Sequence, residues 1–227
     1  AVLLEAFRRA RNGAKFVQVS TDEVYGSLTL GSKKRFVESS PLAPNSPYAA
    51  SKAAADLVAR SFFVTYGTPV VITRCSNNYG AYQYPEKLIP YSIARLKKGE
   101  PIAVYGDGKH VRDWIHVEDH AAGIYAALTN GRPGEVYNLG SDDETSNLEL
   151  AKMLLTILGK NVSHLTFVED RPGHDRRYAT DAAKSRRELG WRPRHSLATS
   201  FEATVRWYLD NESWARKVTA RSTPNAH

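Results

Sequence analysis

Short apolar runs rich in β-branched residues alternate along this chain with longer amphipathic stretches, and no other feature limits its possible folds as much. A strand-sized run followed by a helix-sized crossover brings the next strand back parallel to the first, so the alternation predicts an α/β fold on a largely parallel sheet. Read in order, it gives a helix over residues 2–11, a buried strand over 15–19, a helix over 48–66 and a strand over 70–73. Pro85 and Pro90 flank a further helical run that reaches Lys98. Short strands at 101–104 and 111–115, a helix at 117–129 and a strand at 135–139 follow. Ser146-Asn147-Leu148-Glu149 has the form of a capping box and opens a helix to about Leu158. Helices over 181–189 and 197–209 precede a polar tail that is expected to fray from Val218. The stretch 27–45, with Pro41, Pro44 and the cations Lys33, Lys34 and Arg35, reads as a long surface loop that could act as a lid.

At 227 residues the chain can bury a sizeable core in one large α/β domain or two small ones. Its single cysteine, Cys75, excludes a disulfide framework and a multi-cysteine metal site, and is expected as a small buried filler. His110, His116, His120 and Asp119 fit no common ligand spacing, so no metal is predicted. The net charge of +7 points to an anionic partner. The cations are scattered rather than gathered in a stripe with interleaved aromatics, which argues against nucleic acid. No run approaches the roughly 20 apolar residues of a membrane span and no secretory pattern opens the chain, so a cytoplasmic location is expected.

Two segments carry chemistry. Residues 20–26 read Ser-Thr-Asp-Glu-Val-Tyr-Gly and put a hydroxyl and two carboxyls, Thr21, Asp22 and Glu23, at the end of an apolar strand. Ligands of open α/β sheets sit in the crevice outside the carboxyl ends of such strands. Adjacent carboxyls are by themselves more often a solvated turn, so support must come from elsewhere. Tyr48 and Lys52 provide it: a spacing of four places both on one helix face, where an ammonium stabilises a phenolate and suits the tyrosine to general-base work. Ser46 as N-cap, Pro47 at the first helical position and an apolar stripe of Ala53, Ala54, Leu57, Val58 and Phe62 predict a genuine helix. Tyr105 and Lys109 have the same spacing, but Gly106 and Gly108 between them predict a turn.

These segments, with Ser-Asn-Asn-Tyr-Gly at 76–80, Lys-Leu-Ile-Pro at 87–90, Arg-Asp-Trp at 112–114, Val-Glu-Asp-His at 117–120 and Asp-Arg-Pro-Gly-His-Asp-Arg-Arg-Tyr at 170–178, resemble the extended short-chain dehydrogenase/reductase family of nucleotide-sugar enzymes. The likeness runs in order to about Trp214, and through the Thr-Asp-Glu triplet the resemblance implies the 4,6-dehydratase branch of that family with dTDP-glucose as substrate, although the residues themselves do not distinguish thymine from uracil as the base. The resemblance implies NAD as cofactor, a nucleoside diphosphate sugar as partner and a homodimer built on a bundle that includes the 48–66 helix. In the chemistry it implies, Tyr48 takes the proton of the sugar 4-hydroxyl while hydride leaves C4, with Lys52 lowering the Tyr48 pKa and holding the cofactor ribose. Glu23 then removes the C5 proton, a protonated Asp22 gives its proton to the departing C6 hydroxyl, Thr21 bonds the 4-oxygen, and hydride returns to C6.

By the same resemblance Ser20 and Asn77 lie on the cofactor side. Asn78, Lys87, Leu88 and Arg112 meet the phosphates; Ala103, Val104, Tyr105 and Asn147 meet the nucleotide; and Asp170, Arg171, Pro172, Gly173 and His174 clasp the nucleoside. The implied architecture is a Rossmann-type sheet over residues 1–78, with 115–140 returning to it, and a smaller α/β substrate domain over most of 79–227. No glycine-rich turn follows a strand, and the chain opens inside a predicted helix without an initiator methionine. The expectation is therefore a fragment of about two thirds of an enzyme, lacking the first βαβ units and unable to hold NAD alone. A related epimerase or decarboxylase, and a non-catalytic module for anionic ligands, are the competing readings.

Overall fold

The computed structural model describes residues 1–10 and 13–222, with side chains through residue 220. In chain order its elements are α1 (Val2–Ala10), β1 (Phe16–Thr21), a 3₁₀ turn (Asp22–Tyr25), α2 (Pro47–Tyr66), β2 (Val70–Cys75), β3 (Asn77–Tyr79), α3 (Leu88–Lys97) and β4 (Ile102–Tyr105). Then come β5 (Val111–His116), α4 (Val117–Asn130), β6 (Val136–Leu139), β7 (Glu144–Ser146), α5 (Asn147–Ile157), β8 (Leu165–Val168), α6 (Ala183–Leu189), α7 (Leu197–Asp210) and α8 (Glu212–Ser222). Arg11, the expected end of the first helix, lies outside the described residues.

The parallel sheet is present, in the order β1-β2-β6, with Phe16 opposite Val70 and Thr21 opposite Cys75. Central β2 is buried along Val70–Arg74, as a strand covered on both faces should be. The expected burial of 15–19 is corrected: β1 is an edge strand among the described residues, half-exposed until Ser20 and Thr21, and Val19 is open to solvent. Ser46 caps α2 by accepting the Ala49 N–H at 3.1 Å, Pro47 starts the helix, and Gly67 ends it in the left-handed conformation. The buried face of α2 differs from the expected stripe. It consists of Ala49, Ala53, Asp56 and Ala59, while Ala54 and Leu57 point outward. Small residues let this helix lie close on the sheet, and a carboxylate takes a core position.

A second body of structure is built from β4 paired parallel with β8, and β5 between parallel β3 and antiparallel β7. Helices α3, α5 and α7 pack around Ile89, Ile93, Leu96, Leu150, Leu154, Phe201 and Val205. Pro90 lies inside the first turn of α3 rather than at its flank, because first-turn N–H groups have no intrahelical acceptor to lose. The Ser146–Glu149 capping box forms as predicted. Strands β3, β7 and β8 and helix α8 escape the pattern; the first two are three residues long, and residues 218–222 of the supposed frayed tail are helical. Helix α6 and Trp191, though late in sequence, pack with Val71, Ile115, Tyr137 and Leu139 against the first sheet.

The 27–45 stretch is not a free lid. Leu28 N–H donates to Arg177 O and Phe36 N–H to Ala179 O, both at 2.9 Å, and Phe36 bridges to Thr180. Arg35 pairs with Asp142, and the Phe36 ring stacks on Tyr25 at 5.0 Å.

Gly134 combines a left-handed backbone with a close approach to α2. Gly134 has φ +87°, and a Cβ there would lie 2.2 Å from Phe63 of α2. Gly134→Ala is expected to destabilise the fold by about 2–4 kcal/mol through backbone strain and overpacking, read as a lowered urea midpoint at unchanged m-value.

Candidate active site

Thr21 ends β1 and caps the 3₁₀ turn, its Oγ1 accepting the Glu23 N–H at 3.3 Å and facing Asp22 Oδ1 at 3.4 Å. Gly26 closes the turn at φ +84°; a Cβ there would meet Ala43 O at 2.4 Å, so the turn can sit against the 27–45 loop only with glycine at this point. The geometry separates the two carboxyls. Asp22 is 1% exposed, and its Oδ2 is sealed with no hydrogen-bond partner. Burial, then the nearby Asp113 and Glu23, push the Asp22 pKa well above the usual carboxylate range, with Arg112 opposing. Glu23 is half-buried and its pKa is raised too, by burial and then Asp175, against the opposing pull of Arg112, Arg171 and Lys87. The cations singled out in sequence thus act on Glu23 through space.

Tyr48, one residue into α2, is 55% exposed beside this pair. Its phenol is raised by burial, then by Glu23, Cys75 and Asp22. The expected lowering by Lys52 is not seen in this arrangement, because the Lys52 ammonium is turned to the Val19 carbonyl at 2.7 Å. Ser20 is buried with its hydroxyl unpartnered, and Asn77 lies half-buried at the start of β3. Cys75 is only partly enclosed, not fully buried as expected; its thiol meets Ser20 O at 3.5 Å and is pushed up to about 12 by burial, so it stays protonated.

Arg112 is buried, lies over the Tyr178 ring at 4.3 Å and does not pair with Asp113. Strand alternation sends Asp113 to the opposite face, where it accepts from Ser141 N, Ser141 Oγ and Asp143 N at 2.8–3.1 Å. Asp170, Arg171, Pro172, Gly173 and His174 form one turn: Asp170 accepts from the Arg171 N–H and contacts His174 Nδ1 at 2.7 Å and His110 Nε2 at 3.0 Å. A cavity of about 530 Å³ opens there, lined by Ser27, Asn45, Arg171, Gly173, His174, Asp175 and Arg176. Tyr105, at the end of β4, meets the His174 ring edge-on, while Val104 is buried and Ala103 half-buried.

Other expected residues are engaged by their own neighbours. Lys87 caps α3 and pairs with Glu86 at 3.1 Å. Leu88 and Asn147 share a small apolar recess of about 10 Å³ with Ile89 and Phe201. Asn78 has both ends of its amide engaged internally, Oδ1 with His120 Nδ1 at 2.9 Å and Nδ2 donating to Ser76 O at 3.1 Å. Sequence reasoning missed Ser27, Asn45 and His110 as neighbours of the cavity and did not single out Asp175 or Arg176. Asn45 donates to Asp175 at 2.6 Å across 130 positions of sequence, a pairing without local signal.

Two trios, His110/Asp170/His174 and His116/Glu118/His195, bring potential metal ligands together among the described residues. In both, the imidazoles stack face to face, with centroids 3.7 Å apart and planes at 14° in one, 4.2 Å and 29° in the other. Their lone pairs therefore run side by side instead of converging on a point about 2 Å from each nitrogen.

A family profile described as GDP-mannose 4,6 dehydratase matches residues 1–204, and the chain belongs to that family. It is 50% identical over 217 residues to the dTDP-glucose 4,6-dehydratase of Xanthomonas campestris pv. campestris, covering 92% of this chain and 61% of that relative. The crystal structure of a dTDP-glucose 4,6-dehydratase from Streptomyces venezuelae with NAD bound superposes with a TM-score of 0.91 at 50% identity, over 95% of this chain and 66% of that one. A UDP-glucuronic acid 4-epimerase from Bacillus cereus is more distant, with a TM-score of 0.85 and 28% identity over 92% of this chain and 65% of that one. The chain thus spans less than two thirds of these proteins. Among the described residues no helix is long and apolar enough to cross a membrane.

The raised Asp22 has a measurable consequence. Between an ordinary carboxylate pKa near 4 and its higher folded value, the folded chain holds a proton that the unfolded chain has released, so stability falls as pH rises through that window. Asp22→Asn is expected to be more stable than wild type at neutral pH and to decline less between acid and neutral pH, as followed by urea unfolding across that range.

Proposed function

We propose that the protein, in its full natural length, converts dTDP-glucose to the 4-keto-6-deoxy sugar nucleotide with NAD as a permanently held cofactor. The observation that carries the reading is the contrast within one turn: Asp22 is sealed and favours its protonated form, while Glu23 is half-open and lies in the field of Arg112, Arg171 and Lys87. An elimination of water needs an acid and a base side by side, and unlike environments assign the two duties. Glu23 takes the proton from C5, acidified by a ketone at C4, Asp22 delivers its proton to O6 so that water leaves, and Glu23 gives a proton back to C5 as C6 receives hydride. Thr21 bonds the 4-oxygen, and Tyr48 takes the 4-hydroxyl proton. Bound NAD would supply the hydride acceptor at C4, the donor at C6 and, when oxidised, a positive charge near Tyr48.

The residues the proposal gives to NAD are an accessible Tyr48, Lys52 of α2 with its ammonium at the Val19 carbonyl, half-exposed Asn77 and buried Ser20. On the substrate side, the proposal gives Arg112, Lys87, Leu88 and Asn78 to the diphosphate. It gives Ala103 to Tyr105, Asn147 and Asp170 to His174 to the nucleoside, with the Arg171-lined cavity as its supporting observation. Contact by Asn78 would require its amide to leave His120. The same proposal divides the chain into a cofactor side, residues 1–78 with 115–140, and a substrate side over most of 79–227; α6 packs on the former. It includes a cytoplasmic homodimer, for which the outward Leu57, Val64 and Tyr66 of α2 offer apolar surface.

With dTDP-glucose and NAD, the full-length protein is expected to yield a 4-keto-6-deoxy product seen by its absorbance in alkali. Glu23→Gln should still reduce nicotinamide while product formation falls about 100- to 10,000-fold. An epimerase or decarboxylase would give no such product and would tolerate Asp22→Asn.

A further inference from the structure

The tyrosine–lysine pair and the carboxyl pair come from different elements, α2 and the turn after β1, and one buried side chain touches supports of both. Arg74 of β2 donates from Nε to Asp56 Oδ2 at 2.9 Å, and both residues are at most 5% exposed. Asp56 lies four residues after Lys52 and eight after Tyr48, so it shares their face of the helix. On its other side the Arg74 guanidinium stands over the Tyr25 ring at 4.8 Å. Tyr25 is the last residue of the turn that begins at Asp22, and its hydroxyl donates to Asn138 Oδ1 of β6 at 2.8 Å. Helix, strand and turn thus meet at one guanidinium.

Stability alone is a poor reason for this arrangement. Apolar residues of similar volume often do as well as a buried ion pair, and burial raises the Asp56 pKa against the pull of Arg74. What the planar, directional fork adds is a fixed rotation and depth of α2 relative to the turn. Misplacement by about 1 Å can cost about 100-fold in rate.

We propose that Arg74, held by Asp56 and stacked on Tyr25, is a positioning residue that sets Tyr48 and Lys52 against Asp22 and Glu23, so that oxidation at C4 and elimination across C5 and C6 occur on one sugar pose. The inference rests on the function proposed above. Arg74 and Asp56 are sealed from solvent, at 5% and 1% exposure, so their action is through the groups they hold.

The test uses full-length protein with NAD and dTDP-glucose, comparing wild type, Arg74→Met and Arg74→Lys in single turnovers. Reduced nicotinamide is followed by absorbance, and C5 proton loss by solvent deuterium in the product. For folded Arg74→Met, kcat is expected to fall about 10- to 100-fold with KM within about threefold, and reduced nicotinamide to accumulate because elimination slows more than oxidation. Arg74→Lys keeps the charge opposite Asp56, and with it the fold, yet should show the same uneven slowing. Equal slowing of both steps, full activity per folded molecule, or complete rescue by lysine would overturn the inference. If wild type itself gives neither reduced nicotinamide nor product, the reading of the site fails, and this inference with it.

Discussion

The site hangs on the parallel register between β1 and β2. Six consecutive pairs, from Phe16 opposite Val70 to Thr21 opposite Cys75, fix where β1 stops. Because side chains alternate along a strand, a slip of one residue would send the Thr21 side chain to the other face and carry the 3₁₀ turn away from α2. The register also puts Arg74 opposite Ser20, next to the turn it braces. Because β2 is buried from Val70 to Arg74, the strand that fixes this register also lies at the centre of the core.

From that edge the electrostatics follow. A carboxyl at the first, buried position of the turn after a strand loses its water, while its neighbour one residue on is half-exposed in the field of Arg112 and Arg171. Sequence adjacency with unequal depth creates two carboxyls of different character without any special cofactor or metal. The second body of structure answers with cations and a cavity, held near the turn by the strap that runs from Leu28 and Phe36 to the 177–181 segment.

Much of this was legible in the chain. Apolar alternation, the Ser46 cap, the Ser146 capping box and the glycines that disqualify Tyr105 and Lys109 are local signals, and local signals survive folding. What escaped were contacts that no period encodes. Asp56 interrupts the apolar face of α2 and reads as a surface residue until Arg74 is found beneath it. Asn45 and Asp175 meet only because the 27–45 loop is strapped down. Strands of three residues, such as β3 and β7, are too short for alternation to register. The Lys52 ammonium shows the limit from the other side: spacing fixed the helix face, but a competing backbone carbonyl chose where the side chain points.

The unsatisfied Oδ2 of Asp22 bears on how such a protein can be improved. Ranking positions by folding free energy alone would place this carboxyl among the first to replace, because an amide or an apolar side chain suits its pocket better. A search for thermal robustness run without an activity screen would therefore drift toward a well-folded scaffold from which the acid has been erased.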